Sequence, residues 1–170
     1  MEWQEILAQR TSVRDFAPTP IETDKLSRIL EAGRLAPTAK NIQPQHIYVL
    51  ESEEALTKIR ALTRCAFNAP VVLLFTVDHD AMWTNPFEGW ISSGEQDIAI
   101  VATHVMLAAW NEGIGSCWVC YMPNSAVHKA FDLPENEHVS LLMPIGYPAS
   151  DKPSPNHGKR KPLSETVTYL

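Results

Sequence analysis

Asp97-Ile98-Ala99-Ile100-Val101-Ala102-Thr103-His104-Val105-Met106-Leu107-Ala108-Ala109-Trp110 is the longest helical segment in the sequence. Ile98, Ile100, Val101, Val105, Met106, Leu107 and Ala108 leave it almost no polar face. A surface helix keeps one apolar stripe; a helix apolar all round is buried in the protein or against a partner. The chain has 170 residues, the size of one ordinary domain, and we expect a single domain over residues 1–170. A core of that size can hardly cover every side of such a helix. The expectation is therefore a homodimer with this helix near the interface. Gly113 is placed to stop the helix in a left-handed cap.

Downstream, residues 116–121 read as a strand, residues 126–131 as a short helix ended by Leu133-Pro134, and residues 139–145 as a core strand closed by Gly146-Tyr147-Pro148. Upstream, Pro70 introduces Val71-Val72-Leu73-Leu74-Phe75-Thr76-Val77, apolar on both faces, as a central strand covered on both sides requires. Between that strand and the helix, residues 79–94 hold Trp83, Phe87 and Trp90 without periodicity. Loops this long in compact domains are often lids or binding surfaces, with satellite packing as the plainer reading. Near the start, Trp3, Ile6 and Leu7 share a helical face, and Glu22 or Thr23 opens a second helix with the stripe Leu26, Ile29, Leu30 and Ala32-Gly33. Pro37 ends it. Residues 46–50 form a strand and 55–62 a helix. The tail over residues 149–162, rich in Pro, Ser and Lys, crosses a surface before a candidate edge strand at 163–170. Helices and strands alternate without a βαβ repeat, which gives an α+β or mixed three-layer class.

Composition narrows the function. A formal charge of -6 argues against nucleic-acid binding, which needs a basic face. No apolar run approaches the ~20 residues of a membrane helix. The opening Met1-Glu2-Trp3-Gln4-Glu5 lacks the pattern of a secretory signal, so the expected compartment is the cytoplasm. Cys65, Cys117 and Cys120 are an odd number of thiols, expected to be reduced. Cys117-Trp118-Val119-Cys120 matches C-x-x-C, but in a strand its cysteines face opposite sides ~10 Å apart, beyond the ~7 Å reach of a disulfide. A zinc site would need a second ligand pair, and no metal is expected.

The common catalytic sets are missing: there is no G-x-S-x-G, H-E-x-x-H, P-loop or G-x-G-x-x-G. His46, His79, His104, His128, His138 and His157 lack metal-ligand spacing. A cleft without its own nucleophile or acid–base pair often relies on a cofactor. Two segments fit one. In Arg10-Thr11-Ser12-Val13-Arg14-Asp15-Phe16, an extended chain puts Arg10, Ser12 and Arg14 on one side, a set suited to a phosphate dianion. A second basic cluster, Lys159-Arg160-Lys161, lies near the other end; solvated charge is the plainer reading of either cluster alone. In the loop Ala36-Pro37-Thr38-Ala39-Lys40-Asn41-Ile42-Gln43-Pro44, Asn41 offers a donor and an acceptor together, as the edge of a flavin pyrimidine demands; ordinary turn chemistry is the alternative.

Taken together, these segments resemble a known family. Arg10 to Phe16 resembles the opening motif of the FMN-dependent nitroreductases, and Ala36-Pro37-Thr38 through Asn41-Ile42-Gln43-Pro44 is similar to their second. Gln96-Asp97 through Ala109, Gly113-Ile114-Gly115-Ser116-Cys117-Trp118, Leu133-Pro134-Glu135 and Pro144-Ile145-Gly146-Tyr147-Pro148 follow in order, and Lys159-Arg160-Lys161-Pro162-Leu163 resembles the closing motif.

The resemblance implies a three-layer fold: a mixed, mainly antiparallel central sheet flanked by helices, in an intertwined homodimer with FMN at the subunit interface. It implies that Arg10, Ser12 and Arg160 gather at the FMN phosphate, with Lys159 and Lys161 as flanking solvated charges, Thr11 giving a backbone contact and Arg14 reaching the pyrimidine side. Pro37, Thr38, Ala39 and Asn41 would flank the ring from the other subunit. Trp118, Val119, Cys120 and Tyr121 would pass the opposite face or N5. Relatives often carry small residues where this chain has Cys120-Tyr121; the larger pair displaces that contact or narrows the pocket. The implied reaction is ping-pong: NAD(P)H reduces the flavin at N5, leaves, and a nitroaromatic, quinone or flavin-type acceptor takes its place, with no catalytic side chain. Alternatives on the same scaffold are dehalogenation, flavin destruction, enone reduction or a non-catalytic flavin-binding redox sensor. A plain interaction protein is a further one.

Overall fold

Described for residues 2–150 and 152–170, the structure is a computed structural model. Met1, from the stretch read for targeting, and Asp151, in the proline-rich tail, lie outside the described residues. The elements in order are α1 (Trp3–Gln9), α2 (Thr23–Arg34), β1 (Gln45–Leu50), α3 (Glu53–Leu62), β2 (Val71–Asp78), α4 (Gly94–Asn111), β3 (Gly115–Ser116), α5 (Asn124–Ala130) and β4 (Glu137–Gly146).

The strands form one sheet in the order β1-β2-β4-β3, with every neighbouring pair antiparallel. An isolated bridge from Ser12 to Ser116 adds the one parallel pairing among the described residues. From Val71 to Val77 every residue of β2 is buried. Alternation divides it between two cores. Val72 and Leu74 join Leu56, Ile59 and Val127 of α3 and α5 on one side. Val71, Leu73, Phe75 and Val77 join Ile29, Ile98, Val101 and Val105 of α2 and α4 on the other. The result is the expected α+β, three-layer arrangement.

The apolar segment 97–110 lies within α4, whose inward side buries Asp97, Ile98, Val101, Ala102, Val105 and Ala109. Gly33 lets α2 pack tightly on it; a Cβ there would meet Val105 Cγ2 at 2.8 Å. The far side is less covered: Ile100 is 38% exposed, and α1 leaves Trp3 and Leu7 in solvent. Gly113 takes the left-handed conformation (φ 76°), and the Ile114 amide donates back to Ala109 O at 2.8 Å, closing the helix.

At one end of the sheet Glu137 is buried and accepts from Thr76 Oγ1 at 2.5 Å and Tyr48 OH at 2.9 Å, and meets His46 Nδ1 at 3.0 Å. Burial works to raise this carboxyl, but its three partners outweigh burial and hold it below the usual carboxylate range. Burial and the same carboxylate push the Tyr48 phenol up to about 12.

Two strand expectations need correction. The strand at 116–121 shrinks to Gly115–Ser116, although Cys117 still donates to Pro144 O at 3.2 Å and Val119 exchanges two 2.9 Å hydrogen bonds with Leu142 in the same register. Pro144, lying between them on β4, has no N–H to return, and the ladder breaks there. Residues 163–170 form no edge strand: a short 3-10 turn at Leu163–Glu165 is followed by irregular, exposed chain. The tail leaves the sheet beside β3, where residues 12–16 already bridge to Ser116 and Pro148.

Candidate functional site

The opening motif runs as an extended segment between two parts of the sheet. The Val13 amide donates to Ser116 O at 2.9 Å, Ala17 to Tyr147 O at 2.8 Å, and Ala149 to Asp15 O at 3.0 Å. Val13 and Phe16 bury their side chains in the core. Gly115 permits this close approach, because a Cβ there would meet Val13 Cγ2 at 2.5 Å. Ser12 hydrogen-bonds the Cys117 thiol, and Arg14 and Arg10 both lie near enough to act on its charge. Arg10, Ser12 and Arg14 thus gather around one point at the end of β3. Burial pushes the Cys117 thiol above the ordinary range, the two guanidinium groups opposing it only in part.

The closing motif arrives at the same place. His157 Nε2 meets Ala8 O at 3.0 Å, pinning the tail to the end of α1, and Arg160 Nη1 donates to His157 O at 2.5 Å and Lys159 O at 3.1 Å. Burial, then the Arg160 charge, lower the Arg10 pKa. Two guanidinium groups from opposite ends of the chain therefore lie near enough to repel each other, Arg10 half-buried and Arg160 exposed. Arg14 and Lys159 are exposed. Beside them lies a cleft of about 530 Å³ lined by Thr11, Ser12, Arg14, Asp15, Trp110, Pro148, Ser150 and tail residues 152–155. Two lining residues, Thr11 and Trp110, hold buried polar atoms, Oγ1 and Nε1, with no hydrogen-bond partner among the described residues. Converging cations and unpartnered donors fit a phosphorylated, polar-edged ligand such as FMN.

The second motif lies elsewhere. Pro37 and Asn41 are exposed and Thr38 and Ala39 half-buried, in a 3-10 turn over Ala39–Asn41. The Ala39 amide donates to Asp97 Oδ1 at 2.8 Å, fixing the loop at the start of α4. Trp110, which lines the cleft beside Arg14, is near the other end of that helix. Residues 97 and 110 are about 20 Å apart along the axis, at roughly 1.5 Å per residue. One chain does not bring Asn41 and Arg10 together.

Of residues 118–121, Trp118, Cys120 and Tyr121 are exposed, whereas Val119 is buried and its amide and carbonyl are paired with Leu142. Trp118 Nε1 donates to Cys120 Sγ at 3.3 Å, and the Arg64 guanidinium lies 5.9 Å from the centre of the Tyr121 ring. Cys117 is buried, Cys120 exposed and all three cysteines are free, in keeping with the opposite facing expected of the C-x-x-C pair. Phe87 and Trp90 stand in solvent, which sets aside satellite packing for those two rings. Asp97 was not among the residues singled out; the signal was present, since it is the one acidic residue in a segment otherwise almost wholly apolar.

The chain matches the nitroreductase family over residues 7–68 and 62–147, and belongs to it. It is 30% identical over 158 residues to an Archaeoglobus fulgidus protein provisionally named NADH dehydrogenase/NAD(P)H nitroreductase, covering 89% of this chain and 88% of that one. A solved nitroreductase family protein of Clostridium difficile superposes with a TM-score of 0.93 at 34% identity, over 99% of this chain and 98% of the other. A protein of Exiguobacterium sibiricum solved in complex with FMN shares the fold, with a TM-score of 0.88 at 19% identity over 100% and 98% of the two chains.

Proposed function

We propose that this chain is an FMN-dependent oxidoreductase, working as a homodimer, that uses NAD(P)H to reduce small nitroaromatic, quinone or flavin-type acceptors. The observation that carries the reading is the approach of Arg160 to Arg10, a guanidinium whose pKa is lowered first by burial and then by the Arg160 charge, so that a phosphate there would meet two cations. Ser12 adds a hydroxyl at the same point. Bound there, FMN would accept hydride from NAD(P)H and pass it to the acceptor in alternate half-reactions.

The chain's own residues bind and orient. Arg10, Ser12 and Arg160 hold the phosphate, with Thr11 beside them and Lys159 adding charge from solvent. Arg14 supplies positive charge toward the pyrimidine edge, and Trp118, Cys120 and Tyr121 border the ring. Pro37, Thr38, Ala39 and Asn41 flank it from the second subunit, because within one chain α4 separates them from Arg10. The half-covered side of α4 and the exposed apolar residues of α1 and the tail (Trp3, Leu7, Val167, Tyr169 and Leu170) are the surface a second copy would cover. No side chain is assigned as acid or nucleophile; the Cys117 thiol is held in its protonated form by burial. No helix among the described residues is long and apolar enough to cross a membrane, and we place the activity in the cytoplasm.

The test is an absorbance spectrum of the purified protein, followed by anaerobic titration with NADH and NADPH. We expect a yellow protein bleached by at least one of them. Arg10→Ala should raise the FMN dissociation constant at least tenfold, the ~1.5–3 kcal/mol of a charge-assisted hydrogen bond. A protein that stays colourless after reconstitution with FMN rules the proposal out.

A further inference from the structure

Asp97 is 2% exposed, and the two donors its oxygens accept from are neutral. Its Oδ1 accepts from the Ala39 amide at 2.8 Å and its Oδ2 from Ser93 Oγ at 2.7 Å. Burying a carboxylate opposite neutral donors is unfavourable unless both oxygens are well satisfied. Its place in the first turn of α4 eases that cost, since the amino end of a helix favours negative charge. A carboxylate also provides two acceptor oxygens, where an amide side chain provides one.

What the two oxygens hold is specific. On one side is the loop carrying Asn41, in which Lys40, Asn41 and Gln43 all adopt left-handed backbone conformations (φ 52°, 55° and 59°). Asparagine tolerates this region, but lysine and glutamine adopt it rarely and at a cost their surroundings must offset. Within the loop, Thr38 Oγ1 accepts from the Gln43 amide at 3.0 Å; from outside, the Ala39 amide is tied to Asp97. On the other side is Ser93, whose amide donates to Trp83 O at 2.9 Å and closes the base of a hairpin. That hairpin is ordered by Asn85 N to Ile91 O at 2.9 Å and Phe87 N to Asn85 Oδ1 at 2.9 Å, yet it holds Phe87 and Trp90 93% and 82% exposed.

We propose that Asp97 is a positioning residue: its two oxygens fasten the Asn41 loop and the base of the aromatic hairpin to the first turn of α4 as one preformed unit, which presents the loop to the flavin ring. The inference rests on the proposed function, in that residues 37–41 are taken to flank FMN. Asp97 does not touch the ligand; it sets the shape of the loop that does. A strained loop held in its bound form before FMN arrives binds without a further ordering cost.

The test compares wild type, Asp97→Asn and Asp97→Ala, reading amide hydrogen exchange at Ala39 without FMN, the FMN dissociation constant by fluorescence quenching, and the melting temperature. Asp97→Ala should speed Ala39 exchange and weaken FMN about tenfold each, the size of one charge-assisted hydrogen bond. Asp97→Asn should recover most of both, because its side-chain oxygen still accepts from Ala39 while its amide meets Ser93. If Asp97→Ala does not fold, Ser93→Ala serves instead: it should free the exchange of hairpin amides while Ala39 stays protected. An Asp97→Ala protein with a lower melting temperature but wild-type FMN affinity and Ala39 exchange overturns the proposal. So does an asparagine variant no better than alanine. Wild type failing to bind FMN removes the proposed function itself, whereas wild type and variant binding FMN equally well removes this inference alone.

Discussion

Arg10 lies half-buried with a second guanidinium near enough to disfavour its charge. Its place was legible because alternation in an extended segment is local: Val13 turns inward, and Arg10, Ser12 and Arg14 lie around the Cys117 thiol. Glu137 was not legible. Its partners His46, Tyr48 and Thr76 come from two other strands, and only sheet registry assembles them. Because the folded protein depresses the Glu137 pKa, the native state binds its proton less readily than the unfolded chain does. The stabilisation is therefore complete above the unfolded carboxylate value, about 4.3, and is lost as pH falls through the lower folded value. Glu137→Gln should cost about 1–3 kcal/mol near neutral pH through its unsatisfied donors. In urea unfolding, the gap between wild type and variant should narrow from pH 7 to pH 3; an unchanged gap would show that the charge contributes nothing.

The helices and strands were largely readable because each is written in neighbouring residues. The period of α2, the two-faced apolar run of β2 and the glycine closing α4 all appear where expected. What failed depended on a partner strand. Residues 116–121 have strand composition, but Pro144 opposite them withholds a hydrogen bond. Residues 163–170 find the near edge of the sheet already bridged by residues 12–16. The aromatics at 83–90 could not be assigned from a segment without periodicity, and their exposure now marks them as a surface feature. For α4, the prediction concerns its uncovered side. Ile100→Lys should leave the fold intact, since Ile100 is already 38% exposed, but should weaken self-association roughly 100-fold by placing a charge in an apolar contact. Light scattering across a concentration series checks this; a variant as dimeric as wild type would put the interface elsewhere.

The whole molecule holds the two sequence motifs at opposite ends of α4. Asn41 is anchored at one end of α4 and Arg10 lies near the other, about 20 Å away. If the second subunit supplies the missing half of each site, FMN binding and dimerisation are linked. Diluting the protein should then weaken FMN binding and lower the melting temperature, and added FMN should restore the dimer. Affinity independent of protein concentration, in a range where the oligomer dissociates, would contradict this. The order of elements, the three-layer class and the basic motifs at the two ends are properties of short segments, fixed by periodicity, caps and side-chain alternation. The meeting of Arg10 with Arg160, the burial of Asp97 beneath the Asn41 loop and the loss of the last strand are decided by the path of the chain. They depend on which distant segments the packed sheet makes neighbours, and no local pattern encodes that.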